Sequence, residues 1–210
     1  MYSPAAFRVD DLEQIQTQID SSPLAILVTQ DEQGLQASHL PLLLDRQASP
    51  QGTLFGHFAR ANSHWKSLAN GAEVLVIFPG ASAYVSPGYY PSKAEDHKAV
   101  PTWNYVAVHA YGQAEVFDEP QRLRDLVGRL SQHHEQGRAQ PWSVDEAPAE
   151  YIDAMLRAVV GFALPIARLE GKWKLSQNQS PRNQAGVRAG LGASSVPGEQ
   201  AVAHLMQSLR

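Results

Sequence analysis

Four stretches of this chain carry residue types that could do chemistry. In GHFARANSHWKSL, residues 56–68, His57, Arg60, Asn62, His64 and Lys66 fall between a strand pattern and a helix start. Cationic side chains beside the open N–H groups of a helix N-terminus make an anion site, for phosphate above all. The same residues would also serve as a polar strand-to-helix connection with Asn62 as its cap. In GKWKLSQN, 171–178, alternation sends Lys172 and Lys174 to one face and Trp173 to the other. A phosphate or flavin edge could lie on the lysine side, or the stretch could be a solvated strand with a core indole. Between Tyr89 and Tyr105, YYPSK and VPTWNY set Tyr and Trp beside Pro, which suits a wall for a flat aromatic ligand and equally suits ordinary core at a strand start. In SHLP, Ser38 and His39 interrupt an apolar strand, as a site pair or as polar groups satisfied by neighbouring backbone.

Missing signatures narrow the chemistry. The sequence has no GxGxxG after a strand, no Walker loop, no HExxH and no GxSxG, so dinucleotide folds, NTPases, zincins and serine hydrolases have no support. With no Cys there is no disulfide, thiolate nucleophile or Cys-ligated metal site. His133 and His134 are adjacent on a helix pattern and read as a surface pair. The 210 residues are 43% hydrophobic and 18% charged, a globular profile, with a net charge of −4 that argues against a generally cationic coat for nucleic acid or membrane. The average hides a split: residues 1–156 hold 10 basic and 19 acidic side chains, and 157–210 hold 7 and 2, a basic tail that could face phosphate. No apolar run approaches the roughly 18 residues that span a bilayer, and MYSPAAFRVDDLEQ lacks the order of a secretion signal, so a cytoplasmic location is expected.

The elements that must position these groups follow from periodicity. Leu12, Ile15 and Ile19 predict a helix over 10–20. LAILVTQ (24–30), the turn DEQG and LQASHLPLLLD (35–45) predict a hairpin. TLFGHFA (53–59) and EVLVIFP (73–79) are further strands, with one or two helical turns between Asn62 and Gly71. Residues 82–101, rich in Pro and Tyr, read as a long loop. WNYVAVHAYGQAEVFD (103–118) is the longest strand signal. Helices follow from Pro120 to Gly137 and over about 148–158, then a strand over 160–171 that Pro165 marks as edge or bulge, then a tail helix from about Gly198 bearing Val202, Leu205, Met206 and Leu209. Strands close enough to pair antiparallel, without regular β-α-β alternation, predict an α+β chain: an antiparallel barrel with added helices, one domain over 1–210 whose helical additions lie at about 119–158 and 198–210.

Taken together, AYVSP with YYPSK, VPTWNYVAVHAYG, EYIDAMLRAVVGF and LEGKWKLSQN, joined by ASHLPLLLD and GHFARAN, resemble the PaiB-type proteins, bacterial proteins classed as negative transcriptional regulators and grouped with FMN-binding split β-barrels. The resemblance runs from MYSP to GKWKLSQN, with departures at Ala6, where many members have His, and at Tyr89-Tyr90, where Trp-Tyr is usual. It implies a homodimer with FMN in a groove where subunits meet. It implies His57, Arg60 and Asn62 near the phosphate, with Lys66 beside them. Lys172, Lys174, Ser176 and Gln177 would add polar contacts, Ser38 and His39 would approach the isoalloxazine or ribityl chain, and Trp103 and Asn104 would line the pocket.

Three functions follow as expectations. The first is an FMN-binding regulator; no helix-turn-helix signal is present, and direct DNA binding would show as a steep loss of affinity with salt. The second is an FMN-dependent oxidoreductase, with His39 or His109 as the available acids. The third is a haem-binding barrel with His39 or His57 as axial ligand.

Overall fold

Alternating side chains explain the central hairpin. The computed structural model describes residues 1–32 and 34–207. In it β2 (Leu24–Asp31) pairs antiparallel with β3 (Gly34–Pro41), so that Leu27 lies opposite Ser38 and Ile26 opposite His39. Successive residues of a strand point to opposite faces, so one face of the hairpin is core and the other is open. The acidic start of the 10–20 segment and its apolar spacing give α1 (Leu12–Asp20), which follows the two-residue β1 (Arg8–Val9). Gly34 ends the turn of the hairpin with φ 107°, a backbone conformation that side-chain-bearing residues rarely adopt; Gln33 of the expected DEQG turn is outside the described residues.

Three strands expected to be continuous are each broken. The 35–45 run leaves its sheet at Leu42 and resumes as β4 (Leu43–Asp45) in another. The 103–118 run divides into β7 (Thr102–Gln113) and β8 (Glu115–Phe117), and the 160–171 run into β9 (Val159–Pro165) and β10 (Arg168–Lys174), the latter break at Ile166 and Ala167 just after the proline. Apolar alternation survives a change of sheet, so periodicity alone does not reveal it. The remaining strands are β5 (Thr53–Ala59) and β6 (Glu73–Val85), the second extending well past the expected end at Pro79.

Two compact units divide the chain: residues 1–15, 79–108 and 170–210, and residues 16–78 and 109–169. In the second, β6 pairs β2 and β2 pairs β3, while β4, β5, β9 and β8 form a second antiparallel sheet. Leu27, Leu54, Phe58, Val76 and Phe162 are buried there, with the rings of Phe58 and Phe162 5.4 Å apart. The outer side of the second sheet is covered by α4 (Pro120–Glu135) and α5 (Ala149–Leu156), whose Leu123, Leu126, Leu130, Ile152 and Leu156 close over Phe117 and Ala163. These five leucine and isoleucine side chains recur at helical spacing, as the sequence predicts. A short α2 (Trp65–Ala69) follows β5.

In the first unit the strand order is β1-β10-β7-β6, with Arg8 opposite Lys172. Trp173 is buried, which settles its place as core. The Pro- and Tyr-rich loop holds a 3-10 turn at Pro87–Tyr89 and α3 (Lys93–Asp96). A helix that the periodicity does not predict, α6 (Pro181–Gly192), precedes α7 (Pro197–Leu205). Ser180 caps α6 by accepting the Asn183 N–H, and Pro181 occupies its first turn. Gly186 and Gly190, one turn apart, let Tyr89 lie on the helix: a Cβ at Gly190 would fall 2.3 Å from Cδ1 of its ring. Leu209 of the expected tail helix lies outside the described residues.

Candidate functional site

In the second unit a polar chain is buried behind the open sheet face. His64, 3% exposed, sits at the end of the connection after β5, its ring 5.4 Å from that of Phe58. Its Nδ1 is 2.8 Å from Ser38 Oγ and its Nε2 2.9 Å from Thr29 Oγ1. Burial lowers the His64 pKa, with the charge of Asp31 acting in the opposite direction. Asn62 Oδ1 accepts the backbone N–H of His64 at 3.1 Å, which fixes its amide so that Nδ2 donates to Ser38 Oγ at 3.2 Å. Beside this chain Ser67 Oγ and Gln36 Nε2 both donate to Asp31 Oδ2. Ser38, Asn62 and His64 therefore belong together. His64 is the residue whose position in this network spacing did not single out, although Asn62 two residues before it carries the signal of an Asx-type turn.

The anion cradle expected over 56–68 is not assembled by these residues. Helix α2 has only five residues, and the N–H groups of Lys66 and Ser67 are already bonded to the carbonyls of Ser63 and His64. Arg60 donates to the carbonyl oxygens of Arg157 at 2.9 Å and Val159 at 3.0 Å and pairs with Asp118, so its guanidinium ties β5 to the start of β9. His57 shares a face with Phe55, Gly161 and Ala163, the side under α4 and α5. There its Nδ1 is buried without a hydrogen-bond partner among the described residues, and burial lowers its pKa. Lys66 stays exposed, its ammonium 5.9 Å from the Trp65 ring.

Ser38 and His39 point to opposite faces of the sheet, so they do not approach one ligand atom together. His39 lies on the open face, where Leu24, Ile26, Val28, Ala37, Leu75 and Ile77 surround its row of the register. Leu24 is 54% exposed and Leu35, at the end of the same face, 76%. His109 is 3.3 Å from the Tyr111 hydroxyl. His39 and His57, the haem ligand candidates, stand on strands of different sheets.

The second polar group lies in the first unit and gathers most of the GKWKLSQN residues. Asn104 is fully buried and its Nδ2 donates to Ser176 Oγ at 3.0 Å. Lys174 Nζ donates to Thr102 Oγ1 at 2.7 Å and to the Trp103 carbonyl, and its pKa is lowered by burial and then by the charge of Lys172. Lys172 Nζ donates to the Tyr2 carbonyl at 2.9 Å and lies 5.1 Å from the Tyr105 ring. Gln177 is spent on its own turn: Oε1 accepts the Leu175 N–H at 2.7 Å and Nε2 donates to the Trp173 carbonyl at 2.6 Å. Trp103, 55% exposed, meets Tyr84 edge-on at 6.0 Å and is turned away from Asn104 by the strand's alternation.

FMN requires a flat apolar surface for its ring system and cations or donors for its phosphate. Within the second unit the described residues supply both kinds of group: an open apolar sheet face around His39, and an exposed Lys66 with the Asn62 amide nearby. The residues present thus fit the group, which supplies hydride or electron chemistry when bound.

Comparison with known proteins agrees. Among solved structures, the chain is similar to a conserved hypothetical protein, Rv2991, of Mycobacterium tuberculosis, with a TM-score of 0.59 at 14% identity, covering 86% of this chain and 94% of that one. It is also similar to the FAD and heme binding protein of Mycobacterium smegmatis, with a TM-score of 0.57 at 17% identity, covering 80% and 73%. These likenesses show the split-barrel fold. The chain is 30% identical over 207 residues to "Protease synthase and sporulation protein PAI 2" of Bacillus subtilis, covering 99% of this chain and 97% of the relative, a span that includes the lysine-bearing block at 171–178. Residues 1–168 match the family model described as "Putative FMN-binding domain". With antiparallel sheets, added helices and a match over most of its length, this chain belongs to that FMN-binding family and is PaiB-like.

Proposed function

We propose that the protein is a homodimeric FMN-binding redox protein or flavin-based sensor. The ring system and a second subunit would share the open face of β3, β2 and β6, with His39 at the ring. The observation that carries this reading is the apolar sheet face itself, on which Ile26, Val28, Leu75 and Ile77 are half-buried and Leu24 and Leu35 are exposed. A sheet in water normally presents polar residues outward, and contiguous exposed apolar surface marks a binding surface. Asn62 and Lys66 would serve the polar end of the cofactor from the edge of that unit. The buried Ser38–His64–Thr29 chain would hold β3 and the following connection rigid, so that the face keeps its shape.

The basic excess of the tail supports cofactor or ligand chemistry more than a DNA surface. Lys172 and Lys174 are turned onto neutral oxygens, Arg168 lies 3.5 Å from the Tyr111 ring, and Arg182 pairs with Glu95. A role in transcription would then be exerted through the flavin state, and direct DNA contact predicts a salt-dependent shift with its own promoter region. The test of the reading is light scattering coupled to an absorbance spectrum of the protein with and without added FMN. Flavin bands on a peak of two-chain mass are expected; a colourless single chain after FMN addition overturns it. Anaerobic mixing of the FMN-loaded protein with NADH or NADPH then reads turnover of the flavin directly, and bleaching identifies a reductase.

A further inference from the structure

A lysine ammonium has three protons to donate, and Lys174 uses two, on the Thr102 hydroxyl and the Trp103 carbonyl. Both acceptors are neutral. Lys172, two residues along the same face, is likewise bonded to a carbonyl and laid against tyrosine rings. Among the described residues no carboxylate pairs with either ammonium, although a partly buried charge is normally compensated. The two like charges repel, which is one of the two causes that lower the Lys174 pKa.

Beside Lys174 the first unit has a cleft of about 240 Å³. Phe7, Val100 and Pro101 form an apolar wall, and Lys174, Thr102, Asn104, Ser176, Asn178 and Gln179 a polar one, with no acidic residue among the described lining. Tyr90, also in the wall, is buried, and burial raises its pKa, so its hydroxyl stays protonated. Ser176 is held at φ 65°, a conformation disfavoured for any residue with a Cβ, and the two hydrogen bonds of Gln177 to Leu175 and Trp173 fix that turn. A strained turn, a fully buried amide and an uncompensated cation converge on one small space. Such convergence of a few fixed polar groups with an apolar wall is the character of a small-molecule site.

We propose that this cleft binds the carboxylate of a small organic acid, with Lys174 as the counter-ion and the Phe7, Val100 and Pro101 wall taking its apolar body, as a ligand additional to FMN. A single lining ammonium matches one negative charge and not the two of a phosphate dianion, and the Phe7, Val100 and Pro101 wall offers apolar contact that only an organic body would use. The inference goes beyond the FMN reading and does not depend on it.

The test is calorimetric titration of the full chain with benzoate, with inorganic phosphate in parallel, in the absence and in the presence of saturating FMN. Benzoate is expected to bind, more tightly than phosphate, and FMN is expected to leave its affinity unchanged. Lys174→Gln should weaken benzoate about 10-fold or more, as loss of a charge-assisted bond predicts, and Lys174→Arg should retain most of the affinity. Thermal melts of Lys174→Gln and Lys174→Arg beside the parent protein guard against a folding defect in either variant. Absence of benzoate binding, equal binding by Lys174→Gln, or tighter phosphate than benzoate overturns the proposal. Competition between FMN and benzoate also overturns it, since the lysine would then serve the cofactor's phosphate. Failure of FMN to bind, with benzoate binding intact, removes the FMN reading alone.

Discussion

Replacing Thr29 by Val tests whether the buried Ser38–His64–Thr29 chain is a structural unit. Thr29 is 2% exposed and its hydroxyl lies 2.9 Å from His64 Nε2, so the nearly isosteric valine removes one hydrogen bond and leaves a buried ring nitrogen without a partner. A net hydrogen bond is worth about 1 kcal/mol and an orphaned buried polar atom costs about 1–3 kcal/mol, so Thr29→Val should destabilise by about 2 kcal/mol. Ser38→Ala removes the partner of Nδ1 at 2.8 Å and an acceptor of Asn62, and should cost about the same. In a His64→Leu background neither loss orphans a ring nitrogen, so Thr29→Val should then cost under about 0.5 kcal/mol, a coupling of about 1–2 kcal/mol. Urea denaturation of the four proteins in each cycle measures this directly. Additive costs, with no coupling to His64, would refute the network. The same ring gives a pH signature. Its folded pKa lies below the ordinary value because burial opposes the charged form, so below about 6.5 the unfolded chain takes up protons that the folded chain does not. Stability should be full above that pH and fall on acidification until the folded pKa is reached, and His64→Leu should flatten the slope.

Other substitutions bear on single elements. His57→Phe removes a buried nitrogen that has no partner among the described residues, so it should be neutral or stabilising by about 1 kcal/mol in urea denaturation, and should reduce the acid-side slope because burial lowers the His57 pKa as well. Arg60→Ala should cost about 1–3 kcal/mol through the loss of two bonds to backbone carbonyls, while leaving FMN affinity by fluorescence titration within about 2-fold; a 10-fold or greater loss would place the guanidinium at the phosphate instead. Gly190→Ala should lower stability by about 1–3 kcal/mol because its Cβ would fall 2.3 Å from the Tyr89 ring, and Tyr89→Ala in the same chain should relieve most of that strain in thermal melts.

The hairpin of β2 and β3 and the two covering helices α4 and α5 were legible because their buried side chains repeat at two and at three to four residues. The breaks at Leu42 and Ala114 were less legible, since an apolar run reads the same whether its strand stays in a sheet or crosses to another, whereas Pro165 marked the irregularity that falls just after it. Helix α6 escaped for a related reason: its buried positions are Asn183, Val187 and Leu191, of which only two are apolar, and its contact with Tyr89 is made through Gly186 and Gly190. The Ser180-Pro181 cap was the available sign.

At the site, residue type was more legible than direction. Lys174 and Ser176, from one block, are brought together with Asn104 from the separate VPTWNY stretch, a meeting that only the fold makes. Ser38 and His39 are separated by the pleat, and Arg60 and His57 face away from the expected cradle because Arg60 finds backbone carbonyls of β9 and His57 shares its face with Phe55. His64 was named with the 56–68 cluster, but its place in a buried chain emerged only from the partners that fold onto it from β2 and β3. Such long-range hydrogen bonds leave no periodic trace in the chain.

Seating of the flavin on the open face around His39 underlies the proposed function. It is tested most directly by titrating FMN into the full-length protein and into a His39→Asp variant while following the quenching of flavin fluorescence. Saturable quenching at one FMN per chain is expected for the protein, and affinity at least about 10-fold weaker when a carboxylate is placed on that face. Unchanged FMN affinity in His39→Asp would contradict it.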